Sequence, residues 1–198
     1  MLAETFLRLV RKATRELDLE SIRADVLAFS SKHAELVTRE KGELMVRRAA
    51  RRAAAIGALA SLPPGWGAAV TVAPELTALI VLQSRLIVGL HVLYGGRPEP
   101  DERAFEVLAG VAAGAGVNVG RRLTARAAEE VAERIAVRLA GREVAHVVPL
   151  AGIAASAALN YAAVRAVGHA VLSRVERLYG PPEVPGAGPV VDVSGEVA

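Results

Sequence analysis

The 198-residue chain contains no cysteine, which excludes a disulfide frame, a zinc ribbon, an iron–sulfur site and a thiol nucleophile. Aromatic residues make up only 4% of it, too few for a platform that stacks bases. Neither charge sign dominates: 24 Lys and Arg face 21 Asp and Glu, a net charge of +3, so no nucleic-acid partner is announced. His33, His91, His146 and His169 are scattered, with no i, i+4 pair and no His-Glu-x-x-His helix, and no metal site is expected. A Gly-x-Ser-x-Gly elbow and a Walker loop are missing too, which removes the commonest hydrolase and nucleotide-binding signatures. No cofactor is implied. Met1 to Lys12 carries Glu4, Arg8, Arg11 and Lys12 and lacks the unbroken apolar run of a secretory signal; a place in the cytoplasm or on the cytoplasmic membrane face is expected.

What is present is apolar surface. Hydrophobic types fill 53% of the chain and the mean hydropathy is +0.35, enough for one domain with a substantial core. Phe6, Leu9, Val10, Ala13 and Leu17 recur at helical steps between basic residues, and Ile22, Val26 and Phe29 mark a second short helix. That helix is capped by Asp18 or Ser21 and ends at Ser30-Ser31. From Lys32 to about Ala60 the run of good helix formers predicts one long helix, broken by Leu62-Pro63-Pro64-Gly65. Trp66 to Tyr94 is apolar nearly all round, the mark of a helix buried in a bundle or in lipid.

Asp101 is the expected cap of the next helix, which carries Ala104, Phe105 and Leu108. Thr124 to Leu139 is amphipathic and stops at Gly141, and a last long helix runs from Pro149 to Tyr179 before Gly180-Pro181-Pro182. No alternating strand pattern of any length appears, so the fold class is all-α: a multi-helix bundle with two long central apolar helices. Residues 1–180 form a single helical domain, with amphipathic N-terminal helices over 1–31 and the main body over 32–180. Residues 181–198 read as a flexible Pro- and Gly-rich tail.

The two apolar helices share punctuation at an offset of 85 positions: Pro64, Gly67 and Leu93-Tyr94-Gly95 against Pro149, Gly152 and Leu178-Tyr179-Gly180. Glu75 in the first corresponds to Asn160 in the second. An internal pseudo-repeat is one reading; two core helices with similar ends is the other.

Glu75, Gln83, Arg85 and His91 are costly to bury in the central helix, so each needs a partner, an exit to the surface or a polar cavity. Thr77, Ser84 and His91 share one face at seven-residue spacing. Glu75 and Arg85 stand about 15 Å apart along a helix and cannot pair directly; Asn160 and Arg165 are candidate partners for Glu75. These groups form either a structural polar network or the polar end of a ligand cavity. Arg47, Arg48, Arg51 and Arg52 make two i, i+4 pairs, either a solvated face or a seat for phospholipid headgroups. Gly110 to Gly120 has the four-residue glycine steps of close helix packing, with an anion site at Arg121 and Arg122 as the alternative. As membrane spans, Trp66 to Tyr94 carries the cost of Glu75 and Arg85, and Val144 to Val164 is only weakly hydrophobic.

The order of these motifs resembles the EcsC-like family. The resemblance lies in Leu62-Pro63-Pro64-Gly65-Trp66-Gly67, Glu75 with Leu79, Leu82-Gln83-Ser84-Arg85-Leu86-Ile87, Leu93-Tyr94-Gly95, Pro149-Leu150-Ala151-Gly152, Asn160-Tyr161 and Gly168. It covers residues 32–180, and Glu75 stands where the family usually has aspartate. It implies an α-helical bacterial protein, membrane-associated or cytoplasmic, tied by name to an ABC-transporter locus, with no catalytic residues to carry across.

The leading expectation is a non-enzymatic bundle that binds a lipid or acyl chain, or seats itself peripherally on the cytoplasmic membrane face. Helices Trp66–Tyr94 and Pro149–Tyr179 would wall the cavity. Glu75, Gln83, Arg85, His91, Asn160 and Arg165 would supply polar contacts, and Arg47, Arg48, Arg51, Arg52, Arg121 and Arg122 would face headgroups. The alternatives are an interaction module docking on a membrane complex such as an ABC transporter or on a second copy as a homodimer, and a lipid-directed hydrolase with His91 as base.

Overall fold

The computed structural model describes residues 2–60, 72–114, 133 and 149–180. Six helices are assigned there: α1 Leu2–Arg15, α2 Leu19–Lys32, α3 Thr38–Ala60, α4 Val72–Leu93, α5 Pro100–Gly114 and α6 Pro149–Tyr179. The chain is an all-α bundle, and the described residues contain no strand. The expected helix over Thr124–Leu139, apart from residue 133, lies outside the described residues, as do Gly116, Gly120, Arg121, Arg122, the tail and the first five residues of Val144–Val164.

Helix α2 starts at the expected cap. Asp18 is extended, and its carboxylate accepts from the Glu20 and Ser21 amides at 3.0 and 3.2 Å, satisfying two of the orphan donors of the first turn. The predicted single helix from Lys32 is corrected: α2 runs through Lys32, and α3 begins only at Thr38. No glycine or proline marks the break. His33 closes α2 through its amide on Phe29 and Ser30, and Glu40 reaches back to the Val37 amide at 3.3 Å, the returning half of a capping box. Helix α5 uses the same device. Pro100 holds the first position, where its missing N–H costs nothing, and Glu102 accepts from the Glu99 amide at 3.1 Å. Asp101 is therefore inside the helix and not its cap.

Helix α4 packs on each of the other five helices, which is why its apolar residues run around nearly its whole circumference. Ile80, Leu86, Ile87 and Leu90 join Val46, Ala50 and Ala53 of α3, Val107 and Leu108 of α5, and Val164, Val171 and Val175 of α6 in one core. A smaller cluster of Leu17, Ile22, Val26 and Val88 fastens α2 to the opposite side of α4. The most extensive packing is between α3 and α6. They run antiparallel: Gly42 lies against Leu172, Gly168 against Val46, and Gly57 against Ser156 and Asn160. At these three crossings a side chain on the glycine would collide with its neighbour, so the absence of Cβ sets the helix separation. Gly110 makes a similar approach to Val171 and Ile87, as close packing of its segment predicts.

Among the described residues no helix is long and apolar enough to cross a membrane.

Candidate functional site

A pocket of about 460 Å³ opens between α2, α3 and α4, within the roughly 300–1,000 Å³ range of small-molecule sites. Its apolar part comes from Ile22, Val26 and Phe29 of α2, Met45 and Ala49 of α3, and Leu82 and Leu86 of α4. Gly89 also lines it, and there the missing side chain leaves room bounded by Met45, Val26 and Ile22. The charged lining is one-sided. Lys32, Arg48, Arg52 and Arg85 are cations, and Asp25 is the single carboxylate among the lining residues.

Helical geometry places these groups. Arg48 and Arg52 are one turn apart on α3, and Met45 and Ala49 lie on the same side of it. The Arg48 guanidinium sits 4.9 Å from the centroid of the Phe29 ring and 3.1 Å from His33 Nε2. The other ring nitrogen of His33, Nδ1, lies 3.6 Å from Glu35 Oε1. Phe29 also packs against His33, ring centroids 4.8 Å apart. Arg48 is thus held by a π face and an imidazole ring. Arg85 meets Asp25 at 3.0 Å across the α2–α4 seam, both side chains largely exposed.

The predicted site residues divide into groups. Arg48, Arg52 and Arg85 converge on this pocket. Arg47 and Arg51 are exposed, about 100° around α3 from their neighbours, and do not line it. Arg85 reaches the surface and finds its partner there, Asp25 at 3.0 Å. Gln83 is half-buried. Arg165 is exposed on α6 between Tyr161 and His169. Asn160 is buried against α3 at Gly57. Glu75 lies in the first turn of α4, but its side chain is outside the described residues. The sequence predicts a cavity walled by α4 and α6; the pocket among the described residues is walled by α2, α3 and α4. The reason is that α6 spends its apolar face on α3 and α5.

His91 belongs to a second polar cluster, away from the pocket lining. Its side chain is 2% exposed, with Nδ1 3.1 Å from the Tyr179 hydroxyl and Nε2 3.4 Å from Glu106 Oε2, the latter without the alignment of a hydrogen bond. Arg174 grips Glu106 with both fork nitrogens, at 2.9 and 3.0 Å. Burial pushes the Glu106 carboxyl up, but His91 and the Arg174 fork outweigh it and hold it at about 2. Alongside, Tyr94 donates to Glu176 at 3.2 Å, and Arg39 binds both Glu176 oxygens at 2.8 and 2.7 Å. Burial, reinforced by Glu176, raises the Tyr94 phenol to about 12. Burial and Glu106 also raise Tyr179, and the Glu176 carboxylate raises Arg39. A hydrolytic base must reach a substrate proton; His91 instead faces Tyr179 and Glu106 inside the bundle.

Lys32, Asp25 and Phe29 are the site residues that sequence reasoning missed. Phe29 and Lys32 three residues on, at the end of an amphipathic helix, were the available signal. Among the described residues no group of His, Asp and Glu is arranged to hold a metal ion. No protein-family model matches the chain, and no curated protein or solved structure proves similar to it.

Proposed function

We propose that the protein is a non-enzymatic binding module for an acyl chain that carries an anionic headgroup. The observation that supports this is the pocket between α2, α3 and α4, apolar within and bordered by four cations against one carboxylate. The apolar residues would take the chain, whose burial contributes about 0.8 kcal/mol per methylene. The guanidinium forks of Arg48 and Arg52 suit oxyanions. The likeness of the motifs to the EcsC-like family, with its tie to membrane-linked loci, supports a lipid-related ligand.

Native mass spectrometry of detergent-free protein, paired with an organic extract of the same sample, tests the proposal. A stoichiometric adduct that matches an extracted amphiphile, lost in an Arg48→Ala, Arg52→Ala double variant, is the expected result. A bare polypeptide mass that takes up no long-chain anion on titration overturns it and moves the weight to a partner-docking role.

A further inference from the structure

The charges around the pocket are unequally compensated. Asp25 neutralises Arg85 at 3.0 Å. Arg48 contacts the Phe29 ring and the His33 imidazole, whose other nitrogen faces Glu35 at 3.6 Å, but makes no direct ion pair among the described residues. Among the described residues, Lys32 and Arg52 make no ion pair or hydrogen bond. Three cations from two helices thus border one opening without a carboxylate paired to any of them, and two of them, Arg48 and Arg52, repel each other at i, i+4. Such an arrangement has a standing electrostatic cost that a bound anion relieves, and a multiply charged anion relieves it best.

We infer that the pocket selects a phosphate monoester over a carboxylate as the headgroup of its amphiphile, with Asp25 holding Arg85 in the headgroup's stead until it arrives. The inference rests on the amphiphile reading above and narrows it. A fatty-acid carboxylate brings one charge and two oxygens, and so leaves most of the excess uncompensated. A phosphate monoester brings a charge of about −1.5 to −2 and three acceptor oxygens. Those oxygens match guanidinium forks arriving from α3, with Lys32 as a point charge on the α2 side. Arg85, on α4, is the cation on the third wall, and its present partner is the one acidic side chain of the lining. That pair is exposed, and exposed ion pairs contribute little, so a phosphate can displace Asp25 at little cost.

The test is calorimetric titration of the full chain with dodecyl phosphate, dodecanoate and inorganic phosphate, at about pH 8 where the monoester is dianionic. Dodecyl phosphate is expected to bind about tenfold more tightly than dodecanoate, the margin of one charge-assisted hydrogen bond. Arg52→Gln, an exposed change that touches no core residue, is expected to bring the two ligands to parity. Asp25→Asn is expected to tighten dodecyl phosphate several-fold by freeing Arg85. Equal affinities in the unmodified protein overturn the phosphate preference and leave the amphiphile reading standing. Failure of both alkyl anions overturns the amphiphile reading itself. Inorganic phosphate binding as tightly as dodecyl phosphate assigns the site to free phosphate and also overturns that reading. No gain in Asp25→Asn overturns the displacement of Asp25.

Discussion

Tyr94 and Tyr179 exchange partners across the bundle: the Tyr94 hydroxyl donates to Glu176, three residues before Tyr179, and the Tyr179 hydroxyl meets His91, three residues before Tyr94. Tyr179 ends α6 and Tyr94 directly follows α4, and each is followed by a glycine at positive φ, +81° at Gly95 and +85° at Gly180, the left-handed turn that glycine adopts without strain. The 85-residue offset that relates the tyrosines also relates His91 to Glu176, and it relates the buried pairs Leu79 and Val164, Leu86 and Val171, Ile87 and Leu172, and Leu90 and Val175. The correspondence of motifs between α4 and α6 is therefore matched by a correspondence of positions in the core.

The exchange is symmetric in sequence but not in consequence. Removing the Tyr179 hydroxyl leaves His91 Nδ1 buried without its partner, and an unmet buried polar atom costs about 1–3 kcal/mol. Removing the Tyr94 hydroxyl leaves Glu176 still held by both contacts from Arg39. Tyr179→Phe is expected to lower unfolding stability by about 1–2 kcal/mol and Tyr94→Phe by about half as much. Urea denaturation of the two variants measures this, and an equal or reversed order contradicts the network as drawn.

The Glu106 carboxyl sets an acid limit. Its folded value of about 2 lies below the ordinary 4.5, so the unfolded chain binds more protons between these values. Its contribution is fully present above about pH 4.5 and is lost as pH falls toward about 2. With its side chain 13% exposed, the contribution is on the order of 2–3 kcal/mol after allowance for solvent screening. Denaturation midpoints between about pH 5 and 2.5 are expected to fall steeply in the unmodified protein and less steeply in Glu106→Gln. Parallel slopes contradict the assignment. Arg174→Ala, which strands the same carboxylate beside His91, is expected to cost more at neutral pH than Glu106→Gln.

The α3–α6 crossing gives a separate stability test. A Cβ on Gly168 falls 2.5 and 2.6 Å from the two Val46 methyl carbons and 3.0 Å from its Cβ. Valine is stiff at χ1 and Val46 is fully buried, so the helices must part. Overpacking of this kind costs about 1–3 kcal/mol, against a propensity gain of about 1 kcal/mol for leaving glycine. Gly168→Ala is expected to be net destabilising by about 1 kcal/mol or more, read as a lower thermal midpoint.

The fold was legible where chain punctuation and function coincide. Pro149 and Gly180 bracket α6, and Asp18 caps α2, because each acts on the backbone within a few residues. The break between α2 and α3 was not, since the His33 backbone amide and the Glu40 side chain make it, and both residue types elsewhere sit inside helices. In the site, the arginine cluster pointed to the right helix but not to its working half: Arg48 and Arg52 face the pocket, and Arg47 and Arg51 face away. On α4, Arg85 and His91 are about 120° apart around the axis. An all-apolar background hides which azimuth meets solvent. The partners of His91 come from Glu106 and Tyr179, on two other helices, and no local pattern encodes that meeting.

Gly89 offers the complementary experiment to Gly168, because its neighbour can yield. The nearest atom to a Cβ there is the terminal methyl of Met45 at 3.1 Å, with Val26 and Ile22 at 3.7 and 4.0 Å. Methionine repacks easily, and Gly89 sits mid-helix at an ordinary φ, so Gly89→Ala gains helix propensity and is expected to stabilise the fold by about 0.5 kcal/mol. The same methyl enters the apolar floor of the pocket. If the pocket holds an acyl chain, Gly89→Ala weakens dodecyl phosphate severalfold in calorimetric titration while raising the thermal midpoint. Gly89→Leu deepens the loss, and inorganic phosphate is affected by neither change. Stability and affinity moving in opposite directions is the signature of a filled ligand site, because a variant that merely disturbed the fold would lower both. Unaltered affinity in both variants places the chain elsewhere on the protein.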